Sequence, residues 1–120
     1  MTPTPILIVT GPPASGKSDL ARRLADALRL PRISRDAFKE RLFDTLGWAD
    51  RAWSKRLGAT SYELLWLALE HNLAASTPTL VESNFRGEGP TARFRALAAK
   101  YPLIAHQVNC ATDGPTLLRR

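Results

Sequence analysis

The sequence predicts a layered α/β domain built on a parallel sheet, and three observations carry that expectation. Ile6-Leu7-Ile8-Val9 is a continuous, mostly β-branched apolar run between Pro5 and Gly11, the pattern of a strand covered on both faces. Short apolar runs then alternate along the chain with longer segments of helical spacing, and strands interleaved in this way are joined in parallel by right-handed crossovers. Between the first strand and the first helix lies a glycine-bounded turn, Gly11 to Ser18.

The elements follow in order. Leu20, Leu24 and Leu28 recur every four positions between Lys17 and Leu30, with Ala21, Ala25 and Ala27 beside them and Pro31 as the stop, so helix one is expected there. Arg32-Ile33-Ser34 is read as a short second strand. Asp36 to Leu46 returns to helical spacing through Phe38, Leu42 and Leu46, closed by Gly47. Tyr62, Leu65, Trp66, Leu69 and Leu73 mark a further helix, with Thr60 or Ser61 as its expected cap. Thr79-Leu80-Val81 reads as strand three. Pro90 to Lys100 reads as a helix with Phe94, Leu97 and Ala98 inward, and Leu103 to Val108 as strand four. Asp113 to Arg120 opens one more helix.

A length of 120 residues suits one compact domain, so residues 1–120 are expected to form a single unit. The excess of 17 Lys and Arg over 11 Asp and Glu favours an anionic ligand, whether a nucleotide, a phosphorylated substrate or a nucleic acid. The basic residues are spread along the chain, which argues against a nucleic-acid-binding tail. No apolar stretch approaches the ~20 residues that span a bilayer. Met1 to Pro5 lacks the basic start of a secretory signal, so a cytoplasmic location and no membrane partner are expected. The lone Cys110 has no partner for an internal disulfide, and with only His71 and His106 there is no zinc-ligand spacing. Cys110 is expected to be a small buried residue at a strand end, and both histidines to be structural.

Gly11-Pro12-Pro13-Ala14-Ser15-Gly16-Lys17-Ser18 fits G-x-x-x-x-G-K-[ST] at every fixed position and lies between a predicted strand and a predicted helix, the context that gives this pattern its meaning. The glycines let the backbone curl so that successive N–H groups meet phosphate oxygens, and the helix start adds the positive end of its dipole. Lys17 is expected to reach the β- and γ-phosphates. Ser18 is expected to ligate Mg²⁺ through its hydroxyl. The cofactors this implies are ATP and Mg²⁺.

With Ile33-Ser34-Arg35-Asp36-Ala37-Phe38-Lys39 and Leu80-Val81-Glu82-Ser83-Asn84-Phe85 following this motif, the sequence resembles the small P-loop kinases grouped with polynucleotide kinase, gluconate kinase, chloramphenicol phosphotransferase and zeta toxin. The resemblance covers most of the chain. It implies a three-layer helix–sheet–helix P-loop NTPase fold with strand order 2-3-1-4. It also implies roles for single residues. Asp36 matches the aspartate that accepts the proton of the attacking hydroxyl; the alternative reading is a helix N-cap. Lys39 stands where a relative carries an arginine that holds the acceptor's phosphate, and Lys lacks that bidentate fork. A solvated helix face is the plainer reading of Lys39 and Arg41. Arg35 precedes the expected base and is a candidate ligand contact. Glu82 matches an acidic position near Mg²⁺ and its waters, with a cap or salt bridge as the alternative, and Asn84 and Arg86 share its loop.

Arg119 and Arg120 match the start of a lid helix whose arginines fold over the triphosphate and neutralise developing charge. Such kinases continue through the lid to a closing strand and helix. Without these the expectation is a truncated chain or a fragmentary gene, with an exposed sheet edge and an incomplete adenine pocket. Trp66 lies on the apolar face of its helix; Trp48 and Trp53 flank an Asp50-Arg51 turn and are expected to be core or helix-packing residues, with cover for the acceptor pocket as the alternative.

The expected reaction is transfer of the γ-phosphoryl group of Mg·ATP to a hydroxyl of a small molecule or a nucleic-acid end. Two other readings stand beside it: a nucleotide-binding module or switch without transfer chemistry, and an ATP-dependent nucleic-acid-processing factor. The acceptor and the oligomeric state are not encoded in any motif of this chain.

Overall fold

The computed structural model describes residues 2–12 and 15–110. The expected helix from Asp113, with Arg119 and Arg120, and the loop residues Pro13 and Ala14 lie outside the described residues. Among the described residues, eight elements follow one another: β1 (Thr4–Thr10), α1 (Lys17–Leu28), β2 (Arg32–Ser34), α2 (Arg35–Leu46), α3 (Arg51–Ala74), β3 (Thr79–Ser83), α4 (Glu88–Lys100) and β4 (Leu103–Asn109). The four strands form one sheet in the order β2-β3-β1-β4, and every neighbouring pair is parallel. The sheet is the one the resemblance implies.

Alternation along β1 divides the core in two, because successive side chains of a strand point to opposite faces. Ile6 and Ile8 join Ile33, Val81, Leu65, Trp66, Leu69, Leu73 and Leu97 on the face covered by α3 and α4. Val9 joins Leu80, Ala21, Ala25 and Cys110 on the face covered by α1, with Leu7, Leu20 and Leu24 packed against them. The alanines let α1 lie close on its face, whereas the opposite face is filled by aromatic rings. Trp66 is edge-on to Phe94 with centroids 4.7 Å apart, and Phe94 is edge-on to Phe85 at 5.3 Å. Such pairs add to the area they bury by roughly 0.5–1.5 kcal/mol each.

Four expectations are corrected. Helix α1 ends at Leu28, with Arg29 as its cap at a left-handed φ of 55°, instead of running to Leu30. Helix α2 begins at Arg35 because Ser34 caps it, accepting a hydrogen bond from the Ala37 N–H. The third helix starts at Arg51, well before the expected Thr60 or Ser61 cap. Asp50 is the cap, its carboxylate accepting from the Trp53 N–H at 2.9 Å. Inside α3, Thr60 and Ser61 turn their hydroxyls onto the carbonyls of Arg56 and Gly58, the backward bonding open to these residues within a helix. Ala98 is exposed, and α4 buries Pro90 and Leu97.

β4 is the outermost strand. It pairs with β1 from Thr4↔Leu103 to Thr10↔Asn109, and most of its side chains are exposed, Ile104 among them. Among the described residues, its far edge has no neighbour.

Candidate phosphate-binding site

The carboxyl ends of β1, β2 and β3 collect the candidate residues, as expected of an open parallel sheet. β1 delivers the chain at Thr10 into Gly11 and Pro12, and the loop re-enters the described structure at Ser15. Gly11 is held where only hydrogen fits. A Cβ there would stand 2.8 Å from the Cys110 carbonyl oxygen and 2.9 Å from Ser15 Oγ. Gly16, at φ 82°, turns the chain through the left-handed region into α1. No side chain caps α1, so its leading N–H groups are left to a ligand.

Lys17 is buried, and its ammonium lies 3.7 Å from Asp36 Oδ2. Asp36 is not the cap of α2, since Ser34 fills that position. Its carboxylate is 59% exposed and remains available to a second ligand. Ser18 Oγ donates to Glu82 Oε2 at 2.7 Å. Arg32 Nη1 donates to the other oxygen, Oε1, and the Glu82 side chain is 1% exposed. Burial of that carboxylate is tolerable because both oxygens are satisfied, one of them by a cation. Glu82 therefore makes a salt bridge, its alternative reading, on one oxygen and accepts from Ser18 on the other. With its proton committed to Glu82, Ser18 directs oxygen lone pairs away from it.

These residues fit a nucleotide and its cation. Ser15 Oγ is buried and has no hydrogen-bond partner among the described residues. It lies beside an uncapped helix start in a cleft of about 240 Å³ lined by Pro12, Ser15, Gly16, Lys17, Ser18, Asp19 and Asp36; Asp19 pairs with Arg22 and Arg23. Ser18 offers an oxygen ligand for Mg²⁺, and Glu82 sits one bond behind it. Among the described residues, no three His, Cys, Asp or Glu side chains cluster as a metal site, so the cation's remaining ligands would come from phosphates and water.

A second cleft, of about 440 Å³, opens between Asp36, Lys39, Glu40, Phe43, Asp44 and Trp48. Asp36 lines both clefts. Trp48 stacks on Phe43 with centroids 3.9 Å apart yet is 76% exposed, so it walls this cleft and stays out of the core. Trp53 is half-buried, its indole N–H donating to the Gly47 carbonyl, and Trp66 is in the core. Arg35 turns toward α3, donating to Gly58 O at 2.9 Å and Ser61 Oγ at 3.3 Å. Asn84 is half-buried, Arg41 and Arg86 are exposed, and the side chains of His71 and His106 are at the surface. Cys110 is buried just after β4, its N–H donating to Thr10 O.

Sequence reasoning missed Arg32. Its signal is weak but present. Ser34 pairs in register with Glu82, so a long cation two residues earlier on the adjacent strand can reach the carboxylate.

The family model described as an AAA domain matches residues 6–120. Among solved structures, that of a candidate kinase from Chloroflexus aurantiacus J-10-fl is 42% identical, with a TM-score of 0.87 over 98% of this chain and 64% of that one. The PezAT toxin–antitoxin system of Streptococcus pneumoniae, 20% identical, gives a TM-score of 0.64 over 98% and 53% of the two chains. A gluconokinase from Sinorhizobium meliloti 1021, also 20% identical, gives 0.53 over 89% and 57%. The last two likenesses are of fold alone. The chain spans 64% or less of the length of each of these structures. No curated protein matches it significantly. No described helix is long and apolar enough to cross a membrane.

Proposed function

The chain belongs to the AAA domain family, and we propose that within its kinase-like P-loop fold it transfers the γ-phosphoryl group of Mg·ATP to a hydroxyl held beside Asp36. The observation that carries this reading is the position of Asp36, the one acid among the described residues that lines both the P-loop cleft and the cleft walled by Trp48. A carboxylate free of capping duty at that junction suits a group that meets donor and acceptor together.

Gly16, Lys17 and the first N–H groups of α1 bind the phosphates, and Ser15 Oγ adds a donor. Ser18 would hold Mg²⁺, which when bound would supply positive charge beside the phosphates, and Glu82 keeps the Ser18 hydroxyl aimed. Asp36 orients the acceptor hydroxyl and takes its proton as the oxygen–phosphorus bond forms. The bond to the β–γ bridging oxygen breaks, and ADP leaves with that electron pair. Transfer of this kind has a loose transition state, so placing the two oxygens in line matters more than strong base catalysis. Lys17 stabilises both sides: its ammonium draws on Asp36 before nucleotide binds and turns to phosphate oxygens afterwards.

Calorimetric titration of Mg·ATP into the chain and its Lys17→Ala variant is the first test. Saturable binding by the parent, weakened at least about tenfold (~1.4 kcal/mol) in the variant, is the expected result. Binding that ignores the substitution would remove the P-loop from the reading. A radiolabel-transfer screen over nucleosides, sugars and oligonucleotide ends then separates a kinase from a nucleotide-binding module. In a kinase Asp36→Asn loses transfer and keeps nucleotide binding, whereas in a module Asp36→Asn changes neither.

A further inference from the structure

Among the described residues, every acid that lines the P-loop cleft or stands behind it already meets a cation of the chain's own. Asp19 meets Arg22 and Arg23, at 3.4 and 3.1 Å, and Asp36 meets Lys17 at 3.7 Å. Glu82, hydrogen-bonded to Ser18 Oγ, meets Arg32. The first two carboxylates are well exposed, and water and salt weaken pairs of that kind. The third pair is built differently. Glu82 is buried and Arg32 is half-buried, so solvent screens their attraction far less.

Strand register explains how Arg32 reaches this position. Arg32 pairs with Leu80 and Ser34 with Glu82, so Arg32, Leu80 and Glu82 share the face of the sheet that α1 covers. Along that face the guanidinium spans the two-residue step to Oε1, the oxygen that Ser18 leaves free. Stability alone does not call for such a pair, because well-packed apolar side chains of similar volume commonly serve a fold as well as a buried ion pair does. What the pair adds is a carboxylate of fixed orientation and cancelled charge directly behind a hydroxyl.

We propose that Arg32 is a positioning residue that holds Glu82 against Ser18 and cancels its charge, so that Ser18 takes a divalent cation together with nucleotide phosphates and not from solution alone. With Glu82 neutralised and Asp36 drawn to Lys17, the nucleotide-free cleft offers a hydroxyl without uncommitted negative charge. Divalent cations of this kind are held by carboxylates and phosphates, and a single neutral oxygen does not replace them. A nucleotide brings the missing charge and draws Lys17 away from Asp36. The inference rests on the reading of Ser18 as the cation's protein ligand and needs no transfer step.

The test is residue-resolved amide NMR of the chain with Mn²⁺, a paramagnetic stand-in for Mg²⁺ that broadens the amides near it, repeated on Arg32→Gln and Arg32→Lys. In the parent, Mn²⁺ alone should leave the Ser18 and Glu82 amides sharp at concentrations where Mn²⁺ with ADP broadens them. Arg32→Gln leaves the Glu82 charge uncompensated. Mn²⁺ alone should then broaden both amides at concentrations at least about tenfold lower than the parent requires. Arg32→Lys keeps a cation and should behave as the parent does. Parent amides that broaden as readily with Mn²⁺ alone as with ADP would overturn the proposal. So would an Arg32→Gln chain that melts at a lower temperature yet gains no broadening at Ser18, the mark of a purely structural pair. Should Arg32→Gln not fold, the parent titration still decides, since it needs no variant. The kinase reading fails on a different result: Gly16–Ser18 amides that ignore ADP with and without Mn²⁺, whereas the gain in Arg32→Gln is read without nucleotide.

Discussion

The two halves of α3 treat charge in opposite ways. Its carboxyl half turns acids toward α4 and pairs them. Glu63 receives two hydrogen bonds from Arg93, at 2.8 and 3.1 Å, and Glu70 accepts from Lys100 at 2.7 Å and from the Tyr101 hydroxyl at 3.0 Å. Its amino half places Arg51 and Lys55 in a cleft shared with Arg35 and Lys39 of α2, which no acid lines among the described residues. One half is arranged as a structural seam, and the other leaves its cations without that pairing. The difference shows why net charge alone says little about function, since cations that are already paired have no affinity left to offer a ligand.

The largest effect that would sharpen this contrast is structural. Trp66, buried between α4 and the sheet, anchors the paired half. Trp66→Ala is expected to cost about 3–5 kcal/mol in a denaturant melt. A smaller effect, of opposite sign, is expected at the unpaired half. Arg51→Gln should raise stability by at most about 0.3 kcal/mol, because it removes a cation from the first turn of α3, where the Asp50 cap carboxylate already offsets most of the repulsion. A loss of stability would mean that this cation already has a partner and would break the comparison.

A comparably small effect belongs to the surface seam. The Arg93 hydrogen bonds hold the Glu63 carboxyl below its ordinary value. A carboxylate depressed on folding stabilises above the unfolded value and loses that contribution as pH falls through the folded one. Both side chains are well exposed, 62% for Glu63 and 41% for Arg93, so Glu63→Gln should cost no more than about 0.5 kcal/mol at neutral pH. The deficit should be constant above about pH 5 and shrink as pH falls below the ordinary carboxylate value of about 4.3 toward the depressed folded one.

The sheet and the P-loop were legible because each rests on a local pattern. A β-branched run, two glycines at fixed spacing and a four-residue leucine period need no distant partner to be recognised. The start of α3 was hidden because Arg51 to Thr60 carries few apolar residues: Leu57 and Gly58 are its buried positions, too sparse to show a helical period. Ala98 misled because alanine has high helix propensity at exposed and buried positions alike. The Asp36–Lys17 contact, the Arg32–Glu82 pair and the cleft between α2 and α3 join residues far apart in sequence, so they became visible only with strand register and helix packing. Trp48 misled in its own way, since its stacking on Phe43 is possible only because Gly47 ends α2 and folds the chain back.

The contact of Gly11 with Cys110 makes the nucleotide loop and the exit of the fourth strand a single mechanical part. The Cys110 N–H donates to Thr10 O, and the next residue along, Gly11, has no room for a side chain against the Cys110 carbonyl. A bulkier residue at position 110 would push on the phosphate cradle from behind without touching any ligand. A change in the loop would in turn redirect the chain as it leaves the sheet. Substitutions on either side of this contact are therefore expected to be inherited in pairs, and an engineer who swaps the loop must bring the end of β4 with it.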